Sequence, residues 1–120
     1  MRIYPRTKFA DKNNIPQQME HIMSEIEEFR RAWAMACYQK GKDPEKLAHA
    51  LREMAVEAHD MGQSVNTLLH IIQRDHPELD VWGERLRAMT EKNRARNYYA
   101  EGGSTDGSNA DDTRQASPVR

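Results

Sequence analysis

The sequence predicts an all-α protein, an antiparallel helical bundle that is completed by homo-oligomerisation. Apolar residues recur every three or four positions over most of the chain, which is the spacing of one face of an α-helix. No stretch alternates apolar and polar residues as a half-buried strand would. Glycine and proline lie mainly at the ends of the periodic stretches, where helices begin and end.

The 120 residues are enough for one domain, and we divide them into three parts. Residues 1–13 show no clear period and are predicted to be an irregular N-terminal arm. Residues 14–100 are the predicted helical domain. Residues 101–120 are a predicted disordered tail, because they hold three of the six glycines and only Val119 as a branched apolar residue. Such a segment buries too little surface to offset its ordering entropy.

Composition restricts the class of protein. No apolar run approaches the roughly 20 residues of a membrane helix, and the first residues lack the apolar core of a signal peptide. We therefore expect a cytoplasmic protein with no membrane partner. Cys37 is the only cysteine, which excludes an internal disulfide and a thiolate zinc cage. The net charge of −1 argues against a nucleic acid polymer as partner.

The first long helix is predicted to begin at Asn14, a favourable N-cap, with Pro16 tolerated in its first turn. Its apolar residues step by four and three and form one stripe. We expect Trp33 of this stripe to lie in the core or in a dimer interface. The stripe consists of Ile15, Met19, Ile22, Ile26, Phe29, Trp33 and Ala36.

Gly41 ends this helix, and a second helix begins with Asp43 as cap and Pro44 at the first helical position. Gly62 lies inside the second periodic stretch, so one long helix and two short helices both fit. A turn at residues 75–78 precedes a final helix that is predicted to end near Tyr99. The second stripe consists of Leu47, Leu51, Met54, Ala58, Met61, Val65, Leu68 and Ile72, and the third of Trp82, Leu86, Met89 and Asn93.

Two pairs of acidic residues occupy matched positions on the first two helices. At about 100° per residue, Glu25 and Glu28 lie at about −100° and −160° from the centre of their stripe. Glu57 and Asp60 lie at the same angles on the second helix. The connection is short, so the helices should be antiparallel, and the pairs are then level to about one residue. We therefore expect this acidic quartet to converge at mid-bundle, at the rim of the buried face.

Converging carboxylates are unfavourable without a counter-charge, since each like-charge pair at ~4 Å costs on the order of 4 kcal/mol at an effective dielectric of 20. They can protonate, splay or bind cations. An all-oxygen site suits Mg²⁺ or Mn²⁺, and protein-bound Mg²⁺ is usually completed by substrate phosphates. The competing interpretation is a solvated acidic surface. A di-iron bundle is disfavoured, because no histidine follows a glutamate by three residues.

The motif Glu25-x-x-Glu28, followed after 28 residues by Glu57-x-x-Asp60, resembles that of the MazG-like superfamily of all-α nucleoside triphosphate pyrophosphohydrolases. The segment KNRARNYY at 92–99 is similar to the K-N-x-x-R-G-Y-Y ending of small, single-domain members, which are often found in phages and prophages. The resemblance covers roughly residues 15–99.

The resemblance implies hydrolysis of a (deoxy)nucleoside triphosphate to the monophosphate and pyrophosphate. The quartet would then hold Mg²⁺, and Glu25 or Glu28 would also orient the attacking water. Family members are dimers or tetramers, which implies a homodimer or tetramer here. So short a helical chain also leaves an apolar face to cover.

Six further residues are candidate substrate contacts. Lys92 and Arg96 share a helix face and would hold phosphates, although a solvated basic helix end explains them as well. Gln18 and His21 lie on the acidic flank of the first helix, where they would contact base or sugar. The remaining two candidates are Asn93 and Tyr99.

Three departures from the family pattern leave substrate preference and rate open. Ser24 stands where many members have a second acid, and His59 stands between the acids of the second motif. Asn97 replaces the common glycine. The alternative function is a non-catalytic helical module that binds nucleotide or another protein.

Overall fold

The computed structural model describes residues 4–100, which contain α-helices and no strand. The all-α prediction is confirmed for this part of the chain, whereas the predicted tail at 101–120 lies outside it. None of the helices within 4–100 is both long and apolar enough to cross a lipid bilayer. The chain divides after Glu78 into two units, the first with α1 to α3 and the second with α4. The helices are α1 (Phe9–Lys12), α2 (Ile15–Gln39), α3 (Pro44–Asp75) and α4 (Glu84–Ala95).

The ends of α2 and α3 lie where their capping residues predict. Asn14 accepts a hydrogen bond from the backbone N–H of Gln17, whose side chain accepts one from Asn14 N in return, a complete capping box. The Asp43 side chain caps α3 by accepting from two first-turn N–H groups. Gly41 has φ +80°, the left-handed conformation that lets the chain reverse between the helices. Gly62 does not interrupt α3, which is a single helix.

α2 and α3 pack against each other as an antiparallel hairpin. One set of positions on each helix, spaced alternately by three and four, is buried or half-buried throughout. This is the seven-residue repeat of a coiled-coil seam. The seam consists of Ile15, Gln18, Ile22, Glu25, Phe29, Ala32, Ala36 and Gln39 on α2, and of Leu47, Ala50, Met54, Glu57, Met61, Ser64, Leu68 and Ile71 on α3.

The seam is narrower than the apolar stripes and rotated from them. Met19 and Trp33 on α2 are 40% and 54% exposed, and Leu51 and Val65 on α3 are 49% and 43% exposed. Trp33 was predicted to lie in the core or in a dimer interface, and within the single chain it does not lie in the core. The physical reason is that one partner helix covers only a narrow strip of its neighbour. The remaining apolar residues form a second face beside the seam.

The N-terminal arm is partly helical, in contrast to the irregular arm predicted for residues 1–13. α1 packs on α3. The hydroxyl groups of Thr7 and Thr67 are hydrogen-bonded at 3.0 Å. The guanidinium of Arg74 donates to two backbone carbonyls of the arm, those of Ala10 and Asn13, at 3.0 and 3.1 Å. These contacts fix the arm along the C-terminal half of α3.

Gly62 has a packing role in this contact. A Cβ atom at this position would lie 2.5 Å from the hydroxyl oxygen of Tyr4. That hydroxyl is hydrogen-bonded to Nδ1 of His59 at 3.0 Å. The glycine inside α3 therefore makes room for a side chain of the arm and does not mark a break in the helix.

α4 is shorter than the final helix predicted from the sequence. The Asp80 side chain accepts hydrogen bonds from the backbone N–H groups of Gly83 and Glu84 at 3.0 and 3.1 Å, so the helix begins there. It ends at Ala95, because Asn97 adopts φ +63°, which no α-helix continues. Tyr99, predicted near the helix end, therefore lies beyond it.

Candidate functional site

Three members of the acidic quartet come together in the α2–α3 hairpin. Glu25, Glu28 and Glu57 each offer a carboxylate oxygen within 4.8 Å of the others, and we call these residues the acidic triad. Asp60, the fourth member of the predicted quartet, is exposed and lies outside this group. It is still near enough for its charge to raise the pKa values of Glu25 and Glu57.

Two triad residues are more buried than the sequence predicted. Glu25 and Glu57 occupy seam positions rather than the rim, and the Glu25 side chain is only 14% exposed. Oε1 of each is buried without a hydrogen-bond partner. Glu28 is exposed and lies beside the seam. A buried carboxylate oxygen without a partner is costly, so this layer of the hairpin does not serve stability.

Burial and repulsion by neighbouring acids both disfavour ionisation of Glu25 and Glu57. Desolvation raises the pKa of Glu25, with further increases from the charges of Glu28 and Asp60. His21 opposes this increase, and its Nε2 lies 3.4 Å from Oε2 of Glu25. The pKa of Glu57 is raised by desolvation first, then by the same two acids and by a hydrogen bond with Glu28. The opposing effect of His21 does not offset burial and repulsion, so the pKa of Glu25 stays raised.

The donor set of the triad fits a hard divalent cation. Every available ligand atom is a carboxylate oxygen, the donor that Mg²⁺ and Mn²⁺ prefer. A cation would offset the repulsion that, after burial, contributes to both raised pKa values.

Gln18, a candidate substrate contact, has a structural position. It is 1% exposed, and its Nε2 donates to the backbone carbonyl of Ser64 at 2.9 Å. Its Oε1 accepts from Nδ2 of Asn13, also at 2.9 Å. The expectation that Gln18 lies on an exposed flank is wrong, because the seam passes through this position. Gln18 joins α2 to α3 and to the end of the arm.

We expect Gln18→Leu to lower the free energy of unfolding by about 1–3 kcal/mol, because the substitution leaves a part-buried amide of Asn13 without its acceptor. Urea denaturation followed by circular dichroism measures the change. The control is Glu20→Leu at an exposed α2 position, with an effect within about 0.5 kcal/mol. Equal stability of the two variants would contradict the structural role of Gln18.

The arm adds residues to the site that the sequence did not indicate. A cavity of about 150 Å³ lies between the arm and the hairpin, and Glu25 and Asp60 are part of its lining. The rings of Phe9 and His21 stack with centroids 6.1 Å apart at its side. His21, a candidate substrate contact, is exposed and stays in a position to serve as one. The aromatic residues of the otherwise polar arm were the sequence feature that could have indicated its contribution to the site.

The other four candidate substrate contacts belong to the second unit. Lys92 and Asn93 lie on α4, and Nδ2 of Asn93 contacts Sδ of Met89 at 3.0 Å. Arg96 is the C-cap of α4 and lies over the ring of Tyr98, 5.6 Å from its centroid. Tyr99 is 41% exposed. Because Arg96 follows the last residue of α4, it does not share a regular helix face with Lys92, in contrast to the prediction.

Comparison of the chain with protein-family models, with curated proteins and with solved structures gives no match.

Proposed function

We propose that this chain is a Mg²⁺-dependent nucleoside triphosphate pyrophosphohydrolase of the MazG-like kind, acting on free nucleotides in the cytoplasm. The observation behind the proposal is the acidic triad, in which oxygens from two antiparallel helices lie within 4.8 Å of one another. Two of its oxygens are buried without partners. A purely structural hairpin gains nothing from this arrangement.

The proposed reaction assigns distinct tasks to the residues of the hairpin. Glu25, Glu28 and Glu57, with Asp60 beside them, would hold Mg²⁺ or Mn²⁺. When bound, the cation supplies charge at phosphate oxygens and acidifies a water molecule. Glu28 is exposed and Glu25 is half-buried, so either is placed to orient that water and accept its proton.

The conformation of the C-terminal motif also supports the proposal. Asn97 stands where the resembled motif has glycine, and its φ of +63° is the conformation that glycine adopts most readily. Asparagine is among the few other residues that tolerate it. By the resemblance, Lys92 and Arg96 remain candidate phosphate contacts, and Asn93 and Tyr99 remain candidate substrate contacts.

A panel of ribo- and deoxyribonucleoside triphosphates tests the proposed reaction. Each is incubated with the full chain and Mg²⁺, and pyrophosphate and monophosphate are measured. We expect both products in equal amounts from at least one triphosphate, and none with excess chelator. Release of inorganic phosphate, or no product from any member of the panel, would exclude the proposed reaction and favour a non-catalytic binding module.

We further propose that two copies associate through the apolar face beside the seam. This face carries Met19 and Trp33 on α2 and Leu51 and Val65 on α3, all at least 40% exposed. Isolated exposed apolar residues are ordinary, but a continuous face along two helices is typical of an interface. A homodimer, or a tetramer built from it, would bury this face.

We expect Trp33→Glu to convert this oligomer into a monomer, since a charge in the apolar face must be desolvated on association. Size-exclusion chromatography with light scattering measures the mass. The control is Ala34→Glu, which adds the same charge at the next, exposed position of α2 outside the face. A wild-type monomer, or equal dissociation of both variants, would contradict the proposed interface.

A further inference from the structure

The cavity beside the acidic triad is formed jointly by the N-terminal arm and by both long helices. Thr7 and Phe9 line it from the arm, His21 and Glu25 from α2, and Gln63 and Thr67 from α3. Glu25 belongs to both the triad and the cavity lining. A molecule held by its phosphates at the triad would therefore have this cavity immediately beside it.

The size of the cavity matches one small ring. Its volume is about 150 Å³. A protein cavity of about this volume accepts benzene, a single six-membered ring. The cavity is partly open, so a fused two-ring purine would extend beyond it into solvent. The cavity also extends along α3 from Asp60 to Thr67, roughly 10 Å at the rise of an α-helix, so its far end lies well away from the acids.

The lining offers the surfaces that a nucleobase requires. The stacked rings of Phe9 and His21 provide an aromatic wall, and base–aromatic stacking is a general means of holding a base. Gln63 donates from Nε2 to the carbonyl of Pro5 at 2.8 Å, which leaves Oε1 as an acceptor on a lining residue. The hydroxyl of Thr67 donates to the backbone carbonyl of Gln63 at 3.1 Å and accepts from that of Thr7, so both hydroxyls have only acceptor capacity left for a ligand.

The arm is held firmly enough to serve as a wall. Phe9 is the first residue of α1, and α1 packs on α3. The arm is anchored on either side of Phe9 by the Thr7–Thr67 pair and by the bonds from Arg74. The aromatic wall is therefore fixed relative to the acidic triad and does not depend on closure by a ligand.

We propose that this cavity is the base subsite and that it selects pyrimidine nucleotides. Phe9 and Gln63 determine the specificity, Phe9 as the aromatic wall that limits the width of the cavity and Gln63 through its acceptor for an N–H group on the pyrimidine edge. The assignment rests on the proposed pyrophosphohydrolase function for its link to the triphosphate, whereas binding of the base requires only the cavity.

The first test compares kcat/KM for pyrimidine and purine triphosphates in the wild type, Phe9→Leu and Phe9→Tyr. We expect the wild type to prefer pyrimidines and Phe9→Leu, which widens the cavity, to lower the pyrimidine-to-purine ratio about tenfold. Phe9→Tyr keeps the ring and should keep the ratio. Equal or greater kcat/KM for purines in the wild type, or an unchanged ratio in Phe9→Leu, would overturn the base subsite and leave the proposed reaction standing.

The second test measures binding of CMP, UMP, AMP and GMP by calorimetry without metal. We expect the pyrimidine monophosphates to bind more tightly, and Phe9→Leu to remove the difference. If no triphosphate is hydrolysed but this preference is observed, the proposed reaction fails while the base subsite holds. Absence of any preference that depends on Phe9 would overturn the subsite.

Discussion

We expect Glu57→Gln to reduce pyrophosphate release at least about 100-fold, above the roughly 10–100-fold cost of losing a mere outer-shell partner of a metal. Glu57 is the α3 member of the acidic triad, and its Oε1 is buried without a hydrogen-bond partner. The amide has nearly the same size but no charge, and its neutral carbonyl oxygen is a weaker cation ligand than a carboxylate. The change therefore weakens cation binding and leaves the packing of the seam intact.

The matched control for this variant is Glu53→Gln. Glu53 lies one turn earlier on α3, is exposed and is not part of the triad. The control should retain the wild-type rate, and Mg²⁺ titration should show weaker saturation only in Glu57→Gln. Wild-type release of pyrophosphate by Glu57→Gln would remove the triad from the reaction.

We expect Glu25→Gln to raise the melting temperature of the metal-free protein by a few degrees while it abolishes activity. The Glu25 carboxylate is half-buried and repelled by Glu28 and Asp60, so its ionised form opposes folding. A neutral amide removes this repulsion, and the nearby Glu28 can accept its N–H. Function and stability then conflict at one residue, which is typical of active sites.

The pH dependence of stability distinguishes this explanation from a simple gain in packing. The pKa of Glu25 is higher in the folded protein than in the unfolded chain, so the folded state holds the proton more tightly. Its contribution to stability is fully present below the unfolded pKa and is lost as pH rises through the folded pKa. Metal-free wild type should therefore melt lower as pH rises from the ordinary glutamate range to neutrality.

Melting curves of metal-free protein at several pH values, with and without added Mg²⁺, provide the measurement. The fall with rising pH should be smaller in Glu25→Gln, and Mg²⁺ should raise the melting temperature of the wild type more than that of the variant. Glu20→Gln, an exposed change on the same helix, should behave as wild type. A lower metal-free melting temperature in Glu25→Gln would show that repulsion in the triad is not what limits stability.

The sequence was sufficient for the helices of the hairpin and for the approach of the acids. Caps at Asn14 and Asp43 and the left-handed Gly41 are local signals, because each acts on its own few residues. The matching height of the two acidic pairs along the hairpin followed from the helical rise and the short connection. Three of the four predicted acids do lie together.

Other features depended on contacts that no local pattern encodes. The sequence could place a stripe on each helix but not the strip that a single partner covers, so Trp33 was predicted in the core or in a dimer interface, and Glu25 at the rim. The N-terminal arm lacks a period, and its position comes from contacts with residues some 60 places away, such as Thr7 with Thr67. Local propensity therefore determined the helices and placed the carboxylates at the same height on the two neighbouring helices. The burial of two of them, and the cavity beside them, were decided only by how the hairpin and the arm pack, because burial depends on the neighbour that covers a side chain.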